Sequence, residues 1–166
     1  MREQSRAWVL LDVDGPLNPS FSSRQRSRLS YHHGWRNKKV WAGGQQYRLF
    51  VNPEHGTWLR ALAADTGAEL AWASTWEEHA NRCVAPLIGL PSLPVAPARA
   101  GAKARSVVPW TGGRPFAWLD DDEDELAEAS RLAAGQPHLC VLVDERIGLT
   151  QDHVGQVRSW LKSLQA

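Results

Sequence analysis

The chain has 166 residues, of which 43% are hydrophobic and 22% are charged, and these values predict one globular domain with a substantial core. They exclude repeat arrays, collagen-like chains and disordered tails. Nineteen basic and 18 acidic side chains leave a formal net charge of +1. No global charge therefore demands a nucleic acid or a membrane as partner.

The cysteines and the apolar segments predict where the protein resides. Cys83 and Cys140 lie far apart in the sequence and form no CxxC pair, which argues against a disulfide scaffold and a structural zinc site. The apolar stretch 7–11 is too short for the core of a signal peptide, and no apolar run is long enough to span a bilayer. We expect a cytoplasmic monomer without a membrane partner, although the sequence leaves the oligomeric state open.

Apolar runs and helical patterns alternate along the chain. The runs 7–11, 69–73, 115–119 and 138–143 predict buried strands. Between and after them, the sequence predicts a helix from Asn52 to Gly67, a helix opened by a capping box at Thr75 and ended by Gly89, and helices over 122–134 and from Thr150 onwards. This alternation predicts an α/β sandwich with a mainly parallel sheet.

Two segments fall outside the alternation. Residues 19–39 look polar and irregular, and residues 40–50 predict a β-hairpin with a glycine turn. Residues 91–101, which are rich in proline and alanine, predict a loop. We therefore expect a single domain over 1–166 with an insert at about 19–51.

Polar side chains follow three of the predicted strands. Ligands of open parallel sheets bind at the carboxyl ends of the strands, so these side chains are the candidates for a functional site. Clustered carboxylates repel each other and favour a divalent cation, and hard oxygen ligands suit Mg²⁺. The residues concerned are Asp12 and Asp14, then Ser74 and Thr75, then Asp120 and Asp121.

Four motifs at these positions resemble those of the haloacid dehalogenase (HAD) superfamily. They are Leu10-Leu11-Asp12-Val13-Asp14-Gly15, Ala71-Trp72-Ala73-Ser74, Lys103, and Ala117-Trp118-Leu119-Asp120-Asp121. The segments DVDGPLNP, WASTWEEHAN and DERIGLT are most similar to the small HAD domains related to Swiss Army knife RNA-repair proteins. The resemblance implies a three-layer, Rossmannoid sandwich that is capless or carries a small flap hairpin.

The resemblance also implies catalytic roles. Asp12 would be the nucleophile that forms an aspartyl-phosphate, and Asp14 would act as general acid and then as general base. Ser74 and Lys103 would hold the phosphoryl oxygens. Because dehalogenases of the superfamily lack the second aspartate, Asp14 favours a phosphatase.

The implied cofactor is Mg²⁺. Its ligands would be the Asp12 carboxylate, the backbone carbonyl of Asp14, and Asp121, with Asp120 as a second ligand or as an orienting group. An EF-hand calcium loop is disfavoured because Gly15 falls at the fourth position of the loop instead of the sixth.

Several residues keep alternative interpretations. Thr75 is either a phosphate contact beside Ser74 or a helix cap. Arg99 and Arg105 are rivals of Lys103. His79 and Cys83 share a helix face, but two ligands do not make a zinc site, and we interpret them as a surface imidazole and a core thiol.

The segment 24–39 carries six basic residues, no acidic residue, and several aromatic rings. It is either a solvated loop or a surface that binds the phosphates and bases of a single-stranded nucleic acid. The candidate substrate-binding residues at the flap and at the edges of the site are Gly15, Trp35, Arg36, Trp41, Thr75 and Trp76.

The sequence leaves no room for a full cap domain, and an open site suits a phosphate on a large molecule. We therefore expect an Mg²⁺-dependent phosphohydrolase acting on a nucleic-acid end or a nucleotide phosphomonoester. The partner would be a phosphorylated substrate such as a single-stranded RNA or DNA end. The alternatives are a small-molecule phosphatase or nucleotidase, and a non-catalytic HAD module that binds phosphate.

Overall fold

A computed structural model of the chain describes residues 6–166, with every side chain in that range except that of His32. Its central sheet contains the four strands predicted from the apolar runs. They are β1 (Trp8–Leu11), β4 (Glu69–Trp72), β5 (Phe116–Asp120) and β6 (His138–Leu142). All pair in parallel in the order β4-β1-β5-β6, so β1 is a central strand.

Helices cover both faces of this sheet, because consecutive strand side chains point to opposite faces. Leu11 of β1 belongs to the core shared with α2 (Pro53–Thr66), α3 (Ala85–Ile88) and α6 (Gln151–Ser163). Leu10 belongs to the core shared with α4 (Lys103–Trp110) and α5 (Glu123–Leu132). The predicted three-layer α/β sandwich is confirmed.

Three helix boundaries follow from local capping. The Asn52 side chain accepts the N–H of Glu54 at the start of α2, and Gly67 ends that helix with a φ of 71°. Asp122 caps α5 and Thr150 caps α6, as the sequence predicts.

The helix predicted to open at Thr75 starts differently. The Ser74 hydroxyl accepts the N–H of Trp76, and Glu77 has a φ of 48°, so the chain first makes a turn. A π-helical turn (Ala80–Val84) follows and leads into α3, and its cap residue His79 makes no side-chain cap bond. The predicted capping box is wrong because Glu77, which lies within it, has a left-handed φ that a right-handed helical turn does not allow.

The irregular structure predicted for residues 19–39 is also wrong, because α1 (Ser23–His32) lies there. Ser22 and Gln25 form a reciprocal capping box at its start. The sequence pattern missed this helix because most of its residues are exposed and it lacks a continuous apolar face. The helix α4 was likewise not predicted.

The predicted hairpin is confirmed and is longer than expected. Its strands are β2 (Arg36–Ala42) and β3 (Gln45–Val51), joined by Gly43 and Gly44, both at positive φ. We call these two strands and their turn the flap hairpin. Residues 91–101 form no helix or named strand, but Val95 bridges Trp72 at the outer edge of β4.

The helices within residues 6–166 are all too short or too polar to cross a membrane.

The turn after β1 lies close to the end of β5, where Gly15 approaches the side chain of Asp121. Gly15 has a φ of 97°, and a β-carbon built on it would lie 2.5 Å from the carboxyl carbon of Asp121. A side chain at position 15 would therefore strain the backbone and push Asp121 away.

His55 is a buried residue of α2 whose ring contacts the rings of Trp35 and Trp58. Its Nδ1 has no hydrogen-bond partner within the described part of the chain. Burial lowers the pKa of His55 to about 4, although a hydrogen bond with the Leu149 backbone opposes the shift. The folded protein therefore keeps this imidazole neutral.

We predict that Gly15→Ala destabilises the fold more than Gly67→Ala, the matched control. Gly67 also has a positive φ, but nothing lies within 4 Å of an added β-carbon. The control should lose about 1–2 kcal/mol through backbone strain alone. Gly15→Ala should lose about 1–3 kcal/mol more because Asp121 must move. Urea denaturation at pH 7 measures both losses, and equal values would show that the contact with Asp121 has no energetic effect.

We predict that His55 makes the fold less stable in acid. A pKa of about 4 in the folded state and 6.5 in the unfolded state means that the unfolded chain binds more protons between these values. Stability is therefore full above pH 6.5 and falls as the pH is lowered, by about 2 kcal/mol between pH 7 and pH 5. The free energy of unfolding of His55→Phe should fall less steeply over this range. Parallel pH curves for the two proteins would contradict this.

Candidate active site

The site is centred on Asp12 because β1 lies between β4 and β5. Leu11 pairs with Trp72 on one side and with Leu119 on the other. The next residue of each strand therefore reaches the same edge of the sheet, and the N–H of Asp12 donates to the carbonyl of Leu119. Register alone brings Asp12 and Asp120 together.

Three carboxylates meet at this edge. One oxygen from each of Asp12, Asp120 and Asp121 lies within 4.8 Å of the other two. The Lys103 Nζ donates to an oxygen of Asp120 at 2.6 Å and to an oxygen of Asp12 at 3.4 Å. Three carboxylates and one ammonium leave an excess of negative charge, and this donor set fits a divalent cation with a preference for oxygen ligands.

Burial dominates the electrostatics of the cluster. It raises the pKa of Asp12 well above its usual range, and the charge of Asp120 adds to the shift while Lys103 opposes it. Burial also raises the pKa of Asp120, again against the effect of Lys103. Burial alone would lower the pKa of Lys103, but the two carboxylates outweigh it and raise that pKa. Lys103 therefore stays charged near neutral pH.

Lys103 is held in place by the start of α4. Ala102 offers no side-chain cap, and the buried carboxylate of Glu125 on α5 instead accepts the N–H of Ala104 at 2.7 Å. Glu125 thus fixes the helix turn that carries Lys103. The rival cations Arg99 and Arg105 are both exposed, and Arg105 lies 3.7 Å from Glu128.

Asp120 has both carboxylate oxygens engaged within the protein. It is fully buried, and one oxygen accepts the N–H of Asp122 while the other accepts the Lys103 ammonium. Asp120 therefore orients Lys103. Asp121 is only partly buried and faces Gly15.

The Asp14 side chain is exposed and turned towards the flap hairpin. Asn18 Nδ2 and Trp76 Nε1 each donate to one of its oxygens at 2.9 Å. The Asn18 side-chain oxygen in turn accepts the N–H of Phe50 on β3 at 2.8 Å. Asn18 therefore links Asp14 to the flap hairpin, a role that sequence analysis missed because the contact spans 32 positions of the chain.

Ser74 and Thr75 differ in their surroundings. Ser74 is fully buried at the end of β4. Thr75 is exposed and lines a cavity of about 250 Å³ beside Asp14. We call this cavity the Asp14 pocket, and its lining residues are Asp14, Ala42, Gly43, Tyr47, Thr75, Trp76 and His79.

The other candidate substrate-binding residues are divided among different places. Trp76 lines the Asp14 pocket, and Gly15 packs against Asp121. Trp35 stacks on Phe50 at 5.1 Å and, with Arg36, lines a separate groove near the start of α2. Trp41 is 68% exposed near the tip of the flap hairpin.

Two further pocket residues, Tyr47 and His79, are not predicted by the sequence to contact a substrate. The sequence pattern places Tyr47 in a strand of the hairpin and indicates that His79 is a surface imidazole. The Cys83 thiol, which shares a helix face with His79, lies 3.6 Å from the carbonyl oxygen of Trp41 and donates to it. The sequence carried no indication that the flap hairpin and the π-helical turn meet here.

Solved structures with the same fold include two of the HAD domain of effector protein Lem4 from Legionella pneumophila. One has 12% sequence identity and a TM-score of 0.60, covering 95% of this chain and 94% of that chain. The other, an inactive mutant, has 9% identity and a TM-score of 0.61, covering 97% and 99%. At this identity the likeness concerns the fold alone. No curated protein gives a significant sequence match.

A family model described as "HAD domain in Swiss Army Knife RNA repair proteins" matches residues 8–154. The match includes all four motifs and both the flap hairpin and the carboxylate cluster. The chain therefore belongs to this family of HAD domains.

Proposed function

We propose that the protein is an Mg²⁺-dependent phosphomonoester hydrolase that acts through an aspartyl-phosphate on Asp12, with a nucleic-acid end or a nucleotide as substrate. The observation that carries the proposal is the position of Asp12. Its side chain is 8% exposed, and one carboxylate oxygen lies 3.4 Å from the Lys103 Nζ, within a cluster that has an excess of negative charge.

In the proposed first step, an Asp12 oxygen attacks phosphorus and the bond from phosphorus to the leaving oxygen breaks. Lys103 and the Ser74 hydroxyl hold the phosphoryl oxygens as charge develops on them. Mg²⁺, held by Asp12 and Asp121 with the Asp14 carbonyl, would neutralise charge on the phosphoryl group. Asp120 keeps the Lys103 ammonium in place through the contact of 2.6 Å.

Asp14 acts first as general acid and then as general base in the proposed reaction. As a carboxylic acid it protonates the leaving oxygen, and as a carboxylate it then takes a proton from the water that attacks the aspartyl-phosphate. Phosphate is released and Asp12 is regenerated. Asn18 and Trp76 occupy one lone pair on each Asp14 oxygen, which leaves further acceptor capacity for this exchange.

A nucleic-acid substrate is supported by unpaired cations on α1 and the flap hairpin. Within α1 and the flap hairpin, no ion pair to any residue in the range 6–166 is made by Arg24, Arg26, Arg28, Arg36, Lys38, Lys39 or Arg48. Lys39 and Arg48 are direct cross-strand neighbours, an arrangement of like charges that a bound polyanion would stabilise.

We predict that wild-type protein with Mg²⁺ releases phosphate from 5′- or 3′-phosphorylated oligonucleotides or from nucleotides, and that Asp12→Asn lowers the rate at least about 10³-fold because the nucleophile is lost. Phosphate release by a malachite-green assay measures both. The matched control is Asp144→Asn, a carboxylate that follows β6 and pairs with Arg146. Chelation by EDTA should stop release, and added Mg²⁺ should restore it.

Two outcomes would contradict this proposal. One is the absence of phosphate release from every substrate, including a generic aryl phosphate. The other is equal release by wild type and Asp12→Asn, which would assign the activity to another nucleophile or to a contaminant.

We predict that oligonucleotide turnover is sensitive to salt. If the cations on the flap hairpin neutralise about three phosphates, kcat/KM should fall roughly 20-fold between 50 and 200 mM salt. The double variant Lys39→Gln/Arg48→Gln should show a smaller salt dependence, whereas Arg131→Gln should behave like wild type. Kinetics with a phosphorylated dodecamer measure the slope. An equal slope in all three proteins would exclude these cations as phosphate contacts.

A further inference from the structure

The Asp14 pocket lies on the side of Asp14 that faces the flap hairpin. It is bounded by Tyr47 and Gly43 of the hairpin, and by Thr75, Trp76 and His79 of the segment after β4. Two segments that are distant in sequence thus enclose one small space. At about 250 Å³ it is smaller than a typical pocket for a drug-sized ligand, so it suits a single ring system.

Tyr47 provides a fixed aromatic surface in this pocket. Its ring lies against Trp76 with centroids 5.1 Å apart, and its hydroxyl donates to the Gln45 side chain at 3.1 Å. Tyr47 is nevertheless 39% exposed. A ring held on one side and open on another is suited to stacking, because little side-chain entropy is lost when a ligand binds.

His79 provides a directed hydrogen-bond donor. The Arg82 guanidinium lies 2.8 Å from His79 Nδ1, and since arginine only donates, Nδ1 must be the acceptor. The proton of the neutral ring is then on Nε2. This atom lies 3.9 Å from the position that a β-carbon on Gly43 would take, so the N–H points to the hairpin side of the pocket.

The Asp14 pocket lies where the leaving group of the proposed reaction would be. Asp14 protonates the leaving oxygen in the proposed function, so the space beside the Asp14 carboxylate receives what is attached to that oxygen. Trp76 belongs to both, because its Nε1 donates to Asp14 while its ring supports Tyr47.

We propose that the Asp14 pocket binds the base of the nucleotide that carries the scissile phosphate, with the base stacked on Tyr47 and its polar edge bonded to His79 Nε2–H and the Thr75 hydroxyl. This inference rests on the proposed function, because it takes Asp14 as the group that faces the leaving oxygen. It defines the substrate as a nucleotide unit, at the end of a strand or free.

The polar groups favour a base over a simple aryl group such as that of phosphotyrosine. A phenyl ring has no acceptor for His79 Nε2–H or Thr75, and enclosing these groups without partners costs affinity. A nucleobase has carbonyl oxygens and ring nitrogens on its edge. The unpaired cations on α1 and the flap hairpin also match a chain of phosphates.

The test is a binding measurement that needs no turnover. Isothermal titration calorimetry of Asp12→Asn with Mg²⁺ would compare the four nucleoside 5′-monophosphates with ribose 5-phosphate and phenyl phosphate. We expect at least one nucleotide to bind at least tenfold more tightly than ribose 5-phosphate. Adding Tyr47→Ala should weaken nucleotide binding about 5- to 100-fold, the loss typical of a stacking contact, and leave ribose 5-phosphate within twofold.

Matched variants separate the contribution of the Tyr47 ring from that of its hydroxyl, and test His79 as a hydrogen-bond donor. Tyr47→Phe keeps the ring and should bind nucleotides like the parent protein. His79→Ala should weaken nucleotide binding and leave ribose 5-phosphate unchanged, whereas Leu132→Ala, at an exposed position at the end of α5, should change neither.

Three results would overturn the assignment of the pocket: equal affinity for nucleotides and ribose 5-phosphate, equal weakening of both ligands by Tyr47→Ala, or tighter binding of phenyl phosphate than of any nucleotide. The last result would assign the pocket to an aryl phosphate. Nucleotide binding that depends on Tyr47 in a protein that releases no phosphate would support the pocket and contradict the proposed hydrolase. Phosphate release with no preference for a base would support the proposed hydrolase and contradict the assignment of the pocket.

Discussion

The buried contact of Lys103 with Asp12 and Asp120 is the interaction on which the site depends. Its three side chains come from the end of β1, from β5 and from α4, and none is more than 9% exposed. Without the ammonium, two carboxylates would remain buried side by side, a change that costs several kcal/mol in comparable buried pairs, about 3–5. The sheet edge and the start of α4 are therefore fixed relative to each other by charge as well as by packing.

Two further contacts keep this arrangement rigid. The Glu125 carboxylate accepts the N–H of Ala104 at the start of α4, next to Lys103. Gly15 lets the loop after β1 approach Asp121 more closely than any other residue would permit. The carboxylates are thus preorganised in a region that burial has stripped of water, and such a region strengthens electrostatic interactions with a cation or a phosphate.

The sequence predicts the sheet and its polar edge because these depend on local patterns. Four apolar runs followed by Asp12, Ser74 and Asp120 suffice to place the strand ends, since parallel strands share one edge. The start of the helix after β4, by contrast, depends on the left-handed φ of Glu77, which turns the chain before the helix begins. The segment Thr75-Trp76-Glu77-Glu78 matches a capping box, and nothing in its residue types indicates the conformation that Glu77 adopts.

The residues that the sequence did not reveal are those that connect the flap hairpin to the sheet. Asn18 reaches Phe50, and Trp76 joins Asp14 to Tyr47, over separations that no local pattern encodes. The π-helical turn after His79 is also not encoded by a local pattern, and single turns of this kind are frequent at functional sites of proteins. Trp76 lines the Asp14 pocket and also donates to Asp14, so displacement of Trp76 would disturb this carboxylate. The flap hairpin is therefore linked to Asp14 on two sides, through the contact of Asn18 with Phe50 and through the contact of Trp76 with Tyr47.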